Sequence, residues 1–389
     1  MRDKQIEKLI EAEEKRQKSV VNLIASENFV SPDVLRALGS VFTNKYAEGY
    51  PGKRYYAGCE TVDELENVVK TRALKLFKLS PRAWSVNVQP YSGSPANLAV
   101  YLALLKPGEK ITGMSLAAGG HLTHGAKISA SGKLWRGVHY GLDRKTEQLD
   151  YGAILRIAKK ERPKILIAGW SAYSRKPDFK KFRKIADAVG ATFMVDISHF
   201  AGLIAGDVYP SPFPYADIVT TTTQKTLRGP RAALIFSRAK YAKAIDRAVF
   251  PGVQGGPHMN VVAAVGVSLY EASRPEFKRY AKQVVKNAQV LSDALARLGW
   301  RIVSGGTDSH LFSIDTMMCG VSGGEAEALL EKAGIIVNRE SIPFDIRSPQ
   351  DPSGIRIGTA AVTTRGMKER DMIRLARAID RILRNGNRR

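Results

Sequence analysis

Ile165-Leu166-Ile167-Ala168, Thr192-Phe193-Met194-Val195-Asp196-Ile197-Ser198-His199 and Ile218-Val219-Thr220-Thr221-Thr222-Thr223-Gln224-Lys225 are the runs that decide the fold. The first is a short apolar run of the kind that makes a buried strand. Phe179, Phe182, Ile185, Ala186 and Val189 then recur at helical spacing and stop before Gly190, a residue suited to the left-handed turn that closes a helix. A second apolar run leads into Asp196 and a third into the lysine loop. Strand, helix and strand in this order imply parallel pairing through a right-handed crossover. Ligands of such sheets collect at the carboxyl ends of the strands, and Asp196 and Lys225 both fall there.

An acid and a lysine in those places are suited to pyridoxal 5'-phosphate. The acid would face the pyridine nitrogen and keep it protonated, while the lysine amine would attach the cofactor. Its phosphate needs several donors at one point. Ser92-Gly93-Ser94-Pro95-Ala96-Asn97 precedes Leu98, Tyr101, Leu102 and Leu105 at helical spacing, so Ser94 is expected as N-cap and Pro95 as the first helical residue. The exposed amides and positive dipole end of such a helix favour an anion. Arg356 sits between Ile355 and Ile357 in a strand-like run and points opposite to them, either as an exposed strand arginine or as a fork for a carboxylate. His121 and His124 have the spacing of a metal pair, but no further ligand lies nearby in sequence and no metal is expected.

The chain has 389 residues, 44% of them hydrophobic, enough for two or three domains with large cores. No apolar run approaches the roughly 20 residues of a membrane helix, and the N-terminus carries no apolar signal core. Cys59 and Cys319 lie too far apart for a CxxC site and suggest reduced thiols. A cytoplasmic enzyme without membrane contact is therefore expected. Large-sheet signals run to about Met259, a helical stretch follows through Leu269, and a new unit begins near Ser273. That unit is expected to hold a helix over 277–298, strands over 301–304, 311–314 and 335–337, and a last helix over 367–383.

Further motifs extend along the chain: Asn22-Leu23-Ile24-Ala25-Ser26-Glu27-Asn28, Asn44-Lys45-Tyr46-Ala47-Glu48-Gly49-Tyr50-Pro51-Gly52-Lys53-Arg54-Tyr55-Tyr56, Gly119-Gly120-His121-Leu122-Thr123-His124-Gly125, Ser171-Ala172-Tyr173-Ser174-Arg175, Gln254-Gly255-Gly256-Pro257 and Ser353-Gly354-Ile355-Arg356-Ile357-Gly358-Thr359. With the Asp196 and Lys225 segments, they make the sequence resemble the serine hydroxymethyltransferases. These are fold type I, aspartate aminotransferase-like enzymes that use pyridoxal 5'-phosphate. The resemblance implies an α/β fold with a mostly parallel large-domain sheet and a smaller α+β C-terminal domain. It divides the chain into an arm over 1–50 that packs on a partner subunit, a large domain over 51–272 and a small domain over 273–389. The implied reaction converts L-serine and tetrahydrofolate reversibly to glycine and 5,10-methylenetetrahydrofolate, in a homodimer or a dimer of dimers.

The same resemblance assigns residues. Lys225, Glu48, His199, Thr223 and Tyr56 are the implied catalytic residues, with Glu48 as proton donor and acceptor at the serine hydroxyl. Gly93, Ser94, His121, Ser171, Asp196 and His199 would surround the cofactor, with Tyr46 and Gly256 reaching its phosphate from the neighbouring subunit. Ser26, Tyr56 and Arg356 would bind the amino-acid carboxylate, and Leu116, Gly120, Leu122 and Glu340 the folate. His139, His258 and His310 carry no signal.

Two positions depart from the family pattern. Gln224 stands where a histidine usually precedes the lysine, and it cannot titrate near neutral pH. Glu340 stands where an asparagine would contact the pterin, so donors are lost while acceptors are kept. A folate-independent aldolase acting on β-hydroxy amino acids therefore remains an alternative. The net charge of +23 is not required by the resemblance. Arg370, Arg374, Arg377, Arg381 and Arg384 form one basic helix face opposite Met372, Leu375, Ile379 and Ile382. It is readable as a solvated stripe, as steering for polyanionic folates, or as the surface of a nucleic-acid-binding protein on the same scaffold.

Overall fold

The computed structural model describes residues 1–386. Its large sheet contains β1 (Trp84–Asn87), β2 (Lys110–Met114), β3 (Arg136–Tyr140), β4 (Ile165–Ala168), β5 (Thr192–Asp196), β6 (Ile218–Thr222) and β7 (Ala233–Arg238). The order across the sheet is β1-β7-β6-β5-β4-β2-β3. From β6 to β3 every neighbour is parallel, and β7 alone runs antiparallel, between β6 and β1. All residues of β4 and β6 are buried, as expected of strands covered on both faces.

The expected strand, helix and strand are present. β4 leads to the helix Phe179–Val189, which buries Phe179, Phe182, Ile185 and Ala186 and ends at Gly190 with φ 68°. β5 then returns parallel to β4, with Ile167 opposite Met194. Asp196 ends β5 opposite Thr220, and Lys225 lies three residues beyond the end of β6. Sheet register thus delivers both side chains to one edge.

A second hydrophobic core forms around a smaller antiparallel sheet made of β8 (Arg301–Ile302), β9 (Leu311–Asp315), β10 (Asn338–Glu340) and β11 (Gly354–Gly358), in the order β8-β9-β11-β10. The helix Pro275–Arg297 joins the two cores. Phe277, Tyr280, Ala281 and Val284 belong to the large one, and Leu291 and Leu295 to the small one. β8 stops at Ile302, before the expected 304, because Ser304 adopts φ 56° and donates its N–H to Glu147 Oε2 at 2.8 Å. Ile335–Ile336 pairs in parallel with Val21–Asn22, outside the four-stranded sheet. The last helix, Glu369–Gly386, buries Met372, Leu375, Ala376, Ile379 and Leu383 and leaves its five arginines exposed. No helix among the described residues is long and apolar enough to cross a membrane.

Candidate active site

A cavity of about 410 Å³ opens at the carboxyl edge of the large sheet. It brings together Ser26, Gly93, Ser94, His121, Ser171, Asp196, His199, Lys225 and Arg356, all expected at one site, and adds Gln224 and Arg231 to its wall.

Asp196 is held by its own chain. One carboxylate oxygen accepts the Ser198 N–H at 3.0 Å and the Ser198 hydroxyl at 2.6 Å. The other lies 2.9 Å from Asn97 Nδ2 and 3.2 Å from His124 Nε2. Burial acts to raise its pKa, but the hydrogen bond and charge of His124, with help from His121 and Ser198, hold the carboxyl well below the usual range. Asp196 is therefore a fixed anion. Asn97 also donates to Thr123 Oγ1 at 2.8 Å, and Thr123 contacts His121 Nδ1 through its hydroxyl at 2.7 Å and its N–H at 3.2 Å. A backbone donor at Nδ1 assigns the proton of neutral His121 to Nε2.

Burial lowers the Lys225 amine to about 8, with Arg356 and Arg231 adding to the effect and Asp196 opposing it. Burial and His124 lower His121 to about 4, so its ring is neutral. His199 is pushed well below its ordinary value, chiefly by burial. His310 packs on it with ring centroids 5.5 Å apart, and its Nε2 lies 3.3 Å from His199 Nδ1. His310, silent in the sequence, is thus a direct neighbour of a cavity residue.

The anion end differs from expectation by two residues. The helix is Gly93–Leu104 with Ser92, not Ser94, as N-cap, and Pro95 lies inside the first turn. The reason is close packing. A Cβ on Gly93 would lie 2.7 Å from Thr222 Cγ2, so glycine lets the helix start against the end of β6. The Gly93 and Ser94 amides, in the first turn, have no intrahelical acceptor. Thr222 Oγ1 and Gln224 Oε1 are buried without a partner among the described residues. Unpaired polar atoms beside a helix N-terminus, a fixed anion and a buried amine fit a phosphorylated, ring-nitrogen cofactor.

At the opposite end stands Arg356, buried on β11 between Ser313 and Asn338. Its Nη1 donates to the Ser171 carbonyl at 2.8 Å and its Nε to Asn338 Oδ1 at 3.1 Å. Ser26 is brought beside it by close packing: the Gly358 N–H bonds the Leu23 carbonyl at 2.8 Å, and a Cβ on Gly358 would strike Ala25. The arginine is buried in the cavity wall rather than exposed on its strand. Glu340 stands 3.6 Å from its Nε.

Other expected residues do not line this cavity. Tyr46 and Tyr56 pack together at 4.9 Å, and Glu48 and Gly256 pack against Tyr46, in a separate cluster on the same chain. Arg54, unremarked in the sequence, builds that cluster by donating to the carbonyls of Ala47 and Gly49 on either side of Glu48, anchored by Asp63 and buried Glu66. Thr223 donates its hydroxyl to the Pro230 carbonyl at 2.5 Å and shapes the lysine loop instead of facing the cavity. Leu116 and Leu122 are exposed, and Gly120 is packed so tightly that a Cβ would meet the Met114 carbonyl at 2.0 Å.

A model of the family described as serine hydroxymethyltransferase matches residues 1–379. Proteins named serine hydroxymethyltransferase from Desulfotalea psychrophila and Myxococcus xanthus are 56% and 54% identical to this chain. Each alignment covers 98% of it, and 89% and 90% of those proteins, respectively. One from Koribacter versatilis is 56% identical over 95% of this chain and 86% of its own length.

Proposed function

The chain belongs to the serine hydroxymethyltransferase family, and we propose that the cavity between Asp196 and Arg356 is its catalytic centre. The enzyme converts L-serine and tetrahydrofolate reversibly to glycine and 5,10-methylenetetrahydrofolate, with pyridoxal 5'-phosphate as cofactor. The observation that carries the site assignment is the convergence of a fixed anion, a buried amine of lowered pKa and a buried arginine fork on one cavity.

When bound, pyridoxal 5'-phosphate supplies the electron sink that allows a bond at the amino acid's α-carbon to break. Lys225 would hold it through the ε-amine, Asp196 would face the ring nitrogen, and the Gly93 and Ser94 amides would take the phosphate. His121 would lie against the ring, with Ser171 and His199 near its hydroxyl. Arg356, with Ser26, holds the substrate carboxylate and so orients the α-carbon.

Glu48 moves the proton at the serine hydroxyl, and it does so for a neighbouring copy of the chain, with Tyr46, Tyr56 and Gly256. Their separate cluster supports this reading. The helix Lys4–Ser19 supports a homodimer further, because it buries none of its residues and exposes Ile6, Leu9 and Ile10. Residues 1–50 then form the arm, 51–272 the large domain and 273–386 the small one, the expected bound of 389 lying outside the described residues. Both cysteines are free thiols, which suits the cytoplasm.

The direct test is visible absorption of the protein with cofactor and glycine, before and after tetrahydrofolate. A long-wavelength band that grows with folate is expected. A spectrum indifferent to folate would favour the folate-independent aldolase instead.

A further inference from the structure

Asn338 lies directly opposite Arg356 in the β10–β11 ladder, and Glu340 follows Asn338 by two residues, on the same face of β10. All three side chains meet. Arg356 Nε donates to Asn338 Oδ1 at 3.1 Å, Asn338 Nδ2 donates to Glu340 Oε2 at 3.2 Å, and that same Glu340 oxygen stands 3.6 Å from Arg356 Nε. Among the described residues, Glu340 is the only carboxylate paired with this guanidinium. Its side chain is only 20% exposed and Arg356 is 10% exposed, so little water screens the pair.

We propose that Glu340 is an internal counter-ion that competes with the amino-acid carboxylate for Arg356 and thereby sets the affinity of the substrate site. This goes beyond the folate contact expected at that position, and it rests on the reading of Arg356 as the carboxylate fork. The physical argument is charge balance. Without substrate, the buried guanidinium is neutralised by Glu340, which offsets part of its cost of burial. Burial lowers the guanidinium pKa and Glu340 acts in the opposite direction. When the substrate carboxylate arrives, two anions face one cation, and the second is bound against the field of the first. A neutral asparagine or glutamine would keep polar contacts with Asn338 and impose no such opposition.

Equilibrium binding of glycine to the cofactor-loaded protein tests this, in the wild type, Glu340→Gln and Glu340→Asn, with methylamine as a ligand that keeps the amine and lacks the carboxylate. The expected result is glycine binding tightened roughly tenfold in both variants, within the span between aqueous and protein-like screening of two carboxylates about 6 Å apart. Methylamine binding is expected to stay unchanged. Glycine binding that is unaltered or weaker, in variants that retain the cofactor, would overturn the proposal and make Glu340 a support for Arg356. Tightening of both ligands alike would also overturn it, since the effect would not involve the carboxylate. A wild type that retains cofactor but binds no glycine would instead remove the functional reading on which the proposal rests.

Discussion

Asp196 accepts four hydrogen bonds from groups of its own chain, whereas Glu48, the proton carrier we propose for the substrate, lies outside the cavity in a cluster built by Arg54. The Asp196–Lys225 half of the site is thus finished within one subunit, whereas Tyr46 and Gly256, the proposed phosphate contacts, lie outside it. The substrate half, as proposed, has Arg356 paired with Glu340 and draws further residues from a second copy. The contrast follows from architecture. Parallel strands deliver adjacent carboxyl ends to one point automatically, while Tyr46–Tyr56 is a looped segment whose own packing turns it away from that point.

Breaking the finished half should have the largest effect. Asp196→Ala leaves the His124 and Asn97 donors unpaired and is expected to destabilise the cofactor-free protein by about 3–5 kcal/mol in urea unfolding near pH 7. Because the folded carboxyl is held below its ordinary 3.8, this contribution is present above that pH and is lost as acid protonates the group. Unchanged stability would show that the network is not built in advance.

Arg356→Ala tests the other half. It should cost roughly 2–5 kcal/mol in serine binding or turnover while cofactor retention is kept, and near-normal serine kinetics would refute the fork. Glu48→Gln should lower turnover about 100-fold, in the range for a lost acid–base group, with glycine binding retained. Smaller still is the pH effect. A Lys225 amine of pKa about 8 should make cofactor capture by the cofactor-free protein rise with pH through that value and level off above it. A rate still climbing near pH 10 would mean that the amine is not perturbed.

Much of the finished half was legible in the sequence. The apolar runs ending at Asp196 and before Lys225, and the helix closed by Gly190, are local patterns that the sheet preserves. The reversed direction of β7 was not, because a short strand buried over all but its last residue reads the same in either direction. The two-residue shift from Ser94 to Ser92 depends on the approach of Thr222, a contact between distant residues. Asn97, Thr123 and His310 escaped for a related reason. Asn97 and His310 are buried polar residues whose partners lie elsewhere in the chain, Thr123 joins local His121 to distant Asn97, and only a polar side chain on an apolar helix face hinted at Asn97. The roles proposed for Tyr46, Glu48 and Tyr56 rest on family resemblance, since nothing in local spacing would mark a residue that serves another subunit.

That division of labour is tested most directly by mixing two crippled variants, Lys225→Ala and Glu48→Gln, under conditions that exchange subunits. If Glu48 acts across the interface, each hybrid dimer holds one intact site, and random exchange of equal amounts should restore about a quarter of wild-type turnover. If Glu48 acts within its own chain, every site in the hybrid lacks one group and no activity returns, which would contradict the account.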